Sequence, residues 1–256
     1  MAQFSGRAAF VTGAASGIGA ACALALATEG ATVWCTDLTA DGAAETARRV
    51  RASGGRAEAL ALDVTDEGSW EAAMASAGPI DLLVHAAGIS AASPITEMSF
   101  ADWKRVHAVN LDGSFLAMKY GVRALRAHGG SITAIASASG VRAAPGAAAY
   151  SSSKAAVRML ARVVAKECLT SGAPVRVNTI SPAGVRTPMW SALPFFQEMV
   201  ARLGSEDAAY RELGSAPGGS RFASPEEIAS AVCYLASDAA AMITGTDLVI
   251  DDGYTI

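Results

Sequence analysis

Short apolar runs recur along this chain, each followed by a helix-forming stretch, and that alternation limits the fold more than any other feature. The runs Ala8–Thr12, Thr32–Thr36, Ala57–Leu62, Ile80–Ala86, Ile132–Ala136, Val175–Ile180 and Leu248–Ile250 read as strands. Helical composition lies between them, over Ile18–Thr28, Asp41–Ala52, Asp66 to about Ala77, a long stretch from Ser99 to Gly129, and Tyr150 to Thr170. A last helix opens at Ser224-Pro225-Glu226-Glu227, an N-cap followed by proline and an acidic first turn. Strands this apolar, separated by helices, belong to a parallel sheet covered on both faces. The composition agrees, with 52% hydrophobic and only 17% charged residues among 256. No linker-like break or internal repeat interrupts the pattern. One doubly wound, Rossmann-type α/β domain over residues 1–256, with a parallel sheet of about seven strands, is therefore expected.

Several functions are disfavoured at once. A formal net charge of −4 gives no reason for a nucleic-acid or anionic-membrane partner. Charges, glycines and prolines punctuate every apolar run before it could span a bilayer. The start, Met1-Ala2-Gln3-Phe4-Ser5-Gly6-Arg7, lacks the pattern of a signal peptide, so a cytoplasmic protein is expected. Cys22, Cys35, Cys168 and Cys233 are widely spaced in apolar surroundings and read as small buried hydrophobes, with no metal site.

Thr12-Gly13-Ala14-Ala15-Ser16-Gly17-Ile18-Gly19 joins the first strand to the first helix. Glycines there let backbone N–H groups approach a pyrophosphate, which a helix N-terminus also attracts. Such a turn can also be only a turn. Its position and Asp37 at the end of the second strand favour a dinucleotide site. Asp37 can accept both ribose hydroxyls of an adenosine and would repel a 2′-phosphate. Neither Ser16 nor Leu38 supplies the cation such a phosphate needs, so NAD is expected over NADP. Asp63-Val64, ending the third strand, can touch the adenine edge or cap the next helix.

Tyr150-Ser151-Ser152-Ser153-Lys154 opens a helix without internal glycine or proline. Residues four apart share a face, so the phenol and the ammonium can point into one cleft. A nearby cation lowers a tyrosine pKa and fits the phenol for proton transfer. Alone, the pair also fits an ordinary amphipathic surface.

Taken in order, the glycine turn, Asp37, Tyr150 and Lys154 resemble the short-chain dehydrogenase/reductase family, over essentially the whole chain. The resemblance implies that Ser137, thirteen residues before Tyr150, completes the site and that Asn110 positions a proton-relay water. It implies that Gly13, Ser16, Gly17, Ile18, Gly19, Asp37, Leu38, Asp63, Val64, Ala87 and Gly88 hold the cofactor. Tyr150, Lys154, Pro182, Val185 and Thr187 complete that set, the last two binding the nicotinamide carboxamide. The implied reaction interconverts a secondary alcohol and a ketone, with Ser137 on the substrate oxygen and Tyr150 moving its proton. Lys154 is expected to lower the Tyr150 pKa and to hold the nicotinamide ribose.

Two departures from the family pattern stand out. His85-Ala86-Ala87-Gly88 replaces the usual Asn-Asn-Ala-Gly, and His85 is expected to supply a structural hydrogen bond. Ala183 stands where glycine usually follows Pro182. The apolar stretch Pro188-Met189-Trp190-Ser191-Ala192-Leu193-Pro194-Phe195-Phe196 suggests a lid over 187–220, or a subunit interface. Ser93-Pro94-Ile95 and Val141-Arg142-Ala143-Ala144-Pro145 would form the other walls. A hydrophobic, cyclic or steroid-like small-molecule alcohol or ketone is the expected partner. The rivals are a 3-oxoacyl thioester (carrier protein) reductase, whose docking would fall to Arg123 and Arg126, and a non-enzymatic NAD-binding sensor. Apolar outer faces on the long helices suggest a homotetramer by family analogy.

Overall fold

A computed structural model describes residues 2–215 and 219–256, so the expected lid segment at 216–218 lies outside the described residues. All seven strands join one sheet: β1 Ala8–Thr12, β2 Thr32–Asp37, β3 Arg56–Ala61, β4 Leu82–His85, β5 Gly130–Ile135, β6 Val175–Pro182 and β7 Asp247–Ile250. Their order is β3-β2-β1-β4-β5-β6-β7, and every pairing is parallel. The order reverses between β1 and β4, which opens a crevice at the carboxyl ends of the strands.

The helices α1 Gly17–Thr28, α2 Ala40–Ala52 and α10 Pro225–Ala236 cover one face. Leu26, Val33, Val50, Ile228 and Val232 are buried together there. The opposite face carries α3 Glu67–Ala77, α4 Phe100–His107, α5 Gly113–Leu125 and α6 Ala148–Ser171 around Phe10, Trp70, Leu83, Ile132 and Val157. Two full apolar layers explain why a chain so poor in charge folds without an unpaired sheet face. The helix ends follow local chemistry. Asp66 accepts from the N–H groups of Gly68 and Ser69, Ser99 from Asp102, and Ser224 forms a reciprocal capping box with Glu227.

The expected single helix from Ser99 to Gly129 is two helices joined by one π-helical turn, Ala108–Asp112. One extra residue in that turn rotates the following face, and Asn110 there is wholly buried. The segment expected to act as a lid holds short helices, α7 Pro188–Ser191, α8 Pro194–Leu203 and α9 Glu206–Ser215. Phe196 is buried within it, in a small core of its own with Leu193, Ala209 and Tyr210. Trp190 and Phe222 pack on that core, their rings 5.0 Å apart. The lid aromatics expected to face substrate thus largely face one another, because a segment leaving the main sheet must bury its own apolar side chains.

Candidate active site

The crevice at the strand ends collects the residues expected to act together. Gly13 turns the chain out of β1 at φ +68°, and a Cβ there would lie 2.7 Å from the Ala87 nitrogen. The glycine therefore lets the ends of β1 and β4 close on each other. Gly17, at φ +53°, faces Thr187: a Cβ on it would approach the Thr187 methyl to 3.1 Å. The start of the lid thus meets the glycine turn. Ser16 is the exposed N-cap of α1 and makes no side-chain capping bond; Ile18 and the buried Gly19 follow in the first helical turn.

Asp37 is pre-oriented by backbone donors, accepting from Ala15 N–H at 3.1 Å and Thr39 N–H at 2.9 Å. Leu38 is 72% exposed and leaves the carboxylate open to solvent. Asp63 accepts from both the N–H and the hydroxyl of Thr65, holding the turn before α3. Val64 is buried against Gly113, and its carbonyl accepts from the Trp70 indole at 3.1 Å.

At the other end, Ser137 closes β5 and its Oγ accepts from Ser139 N–H at 3.1 Å. The same hydroxyl reaches the Pro182 carbonyl at 3.5 Å, the long limit of a hydrogen bond, and stands near enough to the Tyr150 phenol to favour its ionisation. Lys154 is buried, and its Nζ donates to the Ile135 carbonyl at 2.8 Å while lying 5.8 Å from the centre of the Tyr150 ring. Gly88 completes the cradle: a Cβ on it would come within 3.3 Å of both Lys154 Nζ and Asn110 Oδ1.

Electrostatics correct one expectation. Burial pushes the Tyr150 phenol above its ordinary value, with the Ser137 hydroxyl pulling the other way. Burial outweighs whatever the Lys154 charge contributes. The Lys154 ammonium is itself driven down to about 8 by burial, and it spends a hydrogen bond on the Ile135 carbonyl rather than on the phenol.

Asn110 acts as a backbone clamp. Its Oδ1 accepts from Ile89 N–H at 2.9 Å, and its Nδ2 donates to the Ile89 carbonyl at 2.9 Å and to Ser153 Oγ at 3.1 Å. Ser153, wholly buried, donates in turn to the Tyr150 carbonyl at 2.7 Å. Ser153 is a site residue that sequence reasoning passed over, although it lies inside the Tyr150–Lys154 segment. Its signal was its spacing, three residues after Tyr150, which lets a hydroxyl bond back into its own helix.

His85 takes the structural role expected of it. Its Nδ1 shares a hydrogen bond with Thr12 Oγ1 at 2.9 Å, and Thr12 Oγ1 also accepts from Ala87 N–H at 3.3 Å, tying β1 to β4. Burial and then the Lys154 charge push its pKa down to about 3, so the ring is neutral. Ala183 is half-buried and donates to the Ile250 carbonyl at 3.0 Å, while Val185 is buried and bridges to Ala223. Burial raises the pKa of all four cysteine thiols, among the described residues no cluster of His, Cys, Asp and Glu could hold a metal, and no helix is long and apolar enough to cross a membrane.

A family model described as enoyl-(acyl carrier protein) reductase matches residues 13–255. The chain belongs to the short-chain dehydrogenase/reductase family. D-threitol dehydrogenase of Mycolicibacterium smegmatis is 44% identical over 99% of this chain and 95% of its own length. Cis-4-hydroxycyclohexanecarboxylate dehydrogenase of Sinomonas cyclohexanicum is 40% identical over 98% of each chain. A solved NAD(P)-dependent dehydrogenase from Beutenbergia cavernae, holding NADP at low occupancy, superposes with a TM-score of 0.84 at 36% identity over 98% of each chain. This short-chain dehydrogenase is an NAD(P)-dependent oxidoreductase that interconverts a secondary alcohol and a ketone.

Proposed function

We propose that the enzyme oxidises a ring-bearing secondary alcohol with NAD, or reduces the matching ketone with NADH. The observation that carries the reading is the single crevice in which the Tyr150 phenol, the Ser137 hydroxyl and the Lys154 ammonium converge. The glycine turn and the N-terminus of α1 fit a pyrophosphate, and the Gly88 cradle beside Lys154 and Asn110 fits a nicotinamide ribose. The bound cofactor supplies the hydride acceptor or donor. Ser137 then hydrogen-bonds the substrate oxygen, and Tyr150 accepts the carbinol proton or returns it to the carbonyl. Lys154 is the only cation among the groups converging there, and it offsets the negative charge that forms on Tyr150 during oxidation. Asn110 and Ser153 hold the helix and loop that present these groups.

Asp37 supports NAD over NADP, because its carboxylate, held by the Ala15 and Thr39 N–H groups at the end of β2, keeps lone pairs for ribose hydroxyls and would repel a 2′-phosphate, and the exposed Leu38 beside it offers no cation. The remaining cofactor contacts of this reading are Gly13, Ser16, Gly17, Ile18, Gly19, Asp63, Val64, Ala87, Pro182, Val185 and Thr187, supported by the close approaches of Gly13 to Ala87 and of Gly17 to Thr187. The relatives' names include a hydroxycyclohexane substrate, which supports a ring. We further propose a cytoplasmic homotetramer, supported by apolar side chains left outward on α4, α5 and α6. An NAD-reduction screen of secondary alcohols of graded size, repeated with NADP, tests the reading. Cyclic alcohols should give the highest kcat/KM, with NAD favoured; comparable turnover with NADP would overturn the cofactor assignment, and no turnover of ring alcohols would overturn the substrate class.

A further inference from the structure

A cavity of about 270 Å³ lies beside the catalytic crevice, between the loop at 90–93, the start of α4 and lid residues 192–194. It is tied to the reacting groups at two points. Ile89, the residue before the loop, is gripped by Asn110 through both its N–H and its carbonyl. Ser93 N–H donates to the Gly146 carbonyl at 2.9 Å, four residues before Tyr150. Both ties join the loop that lines the cavity to segments carrying the reacting groups, which makes it the candidate place for the far end of a substrate whose oxygen meets Tyr150.

The cavity is not lined as an apolar slot. Arg105 donates to Asp102 at 2.9 Å, and the other Asp102 oxygen accepts from Ser99 Oγ at 2.7 Å. Glu97 also lines it, and among the described residues its carboxylate has no hydrogen bond or ion pair. Two carboxylates against one guanidinium leave one negative charge uncompensated. A carboxylate only accepts hydrogen bonds, so the group that meets Glu97 must donate. A hydrocarbon edge would strip water from Glu97 and return nothing, and an anionic tail would be repelled.

We infer that this cavity is a specificity subsite, in which Glu97 selects a hydroxyl on the substrate end remote from the reacting carbon, against both plain hydrocarbon and carboxylate. The inference rests on the proposed ring-alcohol activity. It is tested by kcat/KM for cyclohexanol, cyclohexane-1,4-diol and 4-hydroxycyclohexanecarboxylate with NAD, in wild type, Glu97→Gln and Glu97→Lys. In wild type the diol should exceed cyclohexanol by about ten-fold or more, since a site built to bond a hydroxyl rejects the analogue lacking it. Glu97→Gln should shrink that preference, and Glu97→Lys should raise the carboxylate substrate while cyclohexanol stays within about two-fold. Equal use of diol and cyclohexanol by wild type, or variants that change all three substrates alike, would overturn the subsite. Calorimetric titration of diol and cyclohexanol into the NAD-bound Tyr150→Phe enzyme reads binding without turnover. Diol binding weakened about five-fold or more by Glu97→Lys, with cyclohexanol unchanged, supports the subsite even if no alcohol is oxidised. Unchanged diol binding overturns it, whereas missing turnover alone overturns the ring-alcohol reading.

Discussion

Tyr150 illustrates how a residue's role can be legible while its state is not. The four-residue spacing pointed to Lys154 and the family resemblance to Ser137, and the fold holds Lys154 Nζ 5.8 Å from the Tyr150 ring centre. The direction of its pKa was misread, because four residues along a helix say nothing about how much water the fold removes. With the phenol favoured by burial, oxidation, which needs the phenolate, should accelerate as pH rises from 7 toward 10. Ketone reduction, which needs the phenol, should hold level from pH 6 to about 9. Steady-state rates in both directions check this, and parallel pH profiles would contradict it. Tyr150→Phe should lower kcat by about 10²- to 10⁴-fold while NADH fluorescence titration shows unaltered binding. His85 carries a separate pH signature. Its folded pKa of about 3 lies below the unfolded value, so the unfolded chain takes up the proton first. Stability is fully present above pH ~6.5 and drains away at about 1.4 kcal/mol per pH unit toward the folded pKa. Urea denaturation at pH 7 and pH 5 should show wild type losing about 2 kcal/mol more than His85→Asn.

Among the elements, strand and helix positions were readable because apolar runs and caps are local signals. The strands fell within about two residues of expectation, and Asp66, Ser99 and Ser224 cap as their sequence contexts suggest. The π turn at Ala108–Asp112 was not readable, since one inserted residue changes no side-chain type and shifts the periodicity only within a single turn. Its product is the inward Asn110, which pairs with Ile89 as a strand would. Asn110→Ala leaves the half-buried Ile89 N–H and carbonyl without their side-chain partners, at about 1–2 kcal/mol each. A urea midpoint consistent with a loss of about 2–4 kcal/mol is expected, together with reduced kcat. A variant as stable as wild type would show that water replaces the clamp. The short lid helices also escaped reading, because proline-interrupted apolar stretches look alike whether they face substrate or each other.

For the whole molecule, the parallel sheet covered by helices on both faces followed from the βα alternation alone, whereas the packing between copies of the chain is written only in which apolar side chains stay outside. Met159 and Val163, one helical turn apart on α6, are 58% and 46% exposed, and Phe115 on α5 is half exposed. If these faces pair in the proposed tetramer, Met159→Lys with Val163→Lys should lower the sedimentation coefficient toward that of a smaller species, with the fold retained by circular dichroism. An unchanged coefficient would place the contact elsewhere. The lid has a different lesson for a family with so many substrates. Phe196, Ala209 and Tyr210 keep its shape, Ala192, Pro194 and the facing Glu97 border the cavity, and Leu193 alone of these does both. Residues that preserve the architecture and residues that read the substrate are therefore largely different, so a lineage can change its diet by substitution at the rim while the lid's own core stays under unaltered selection.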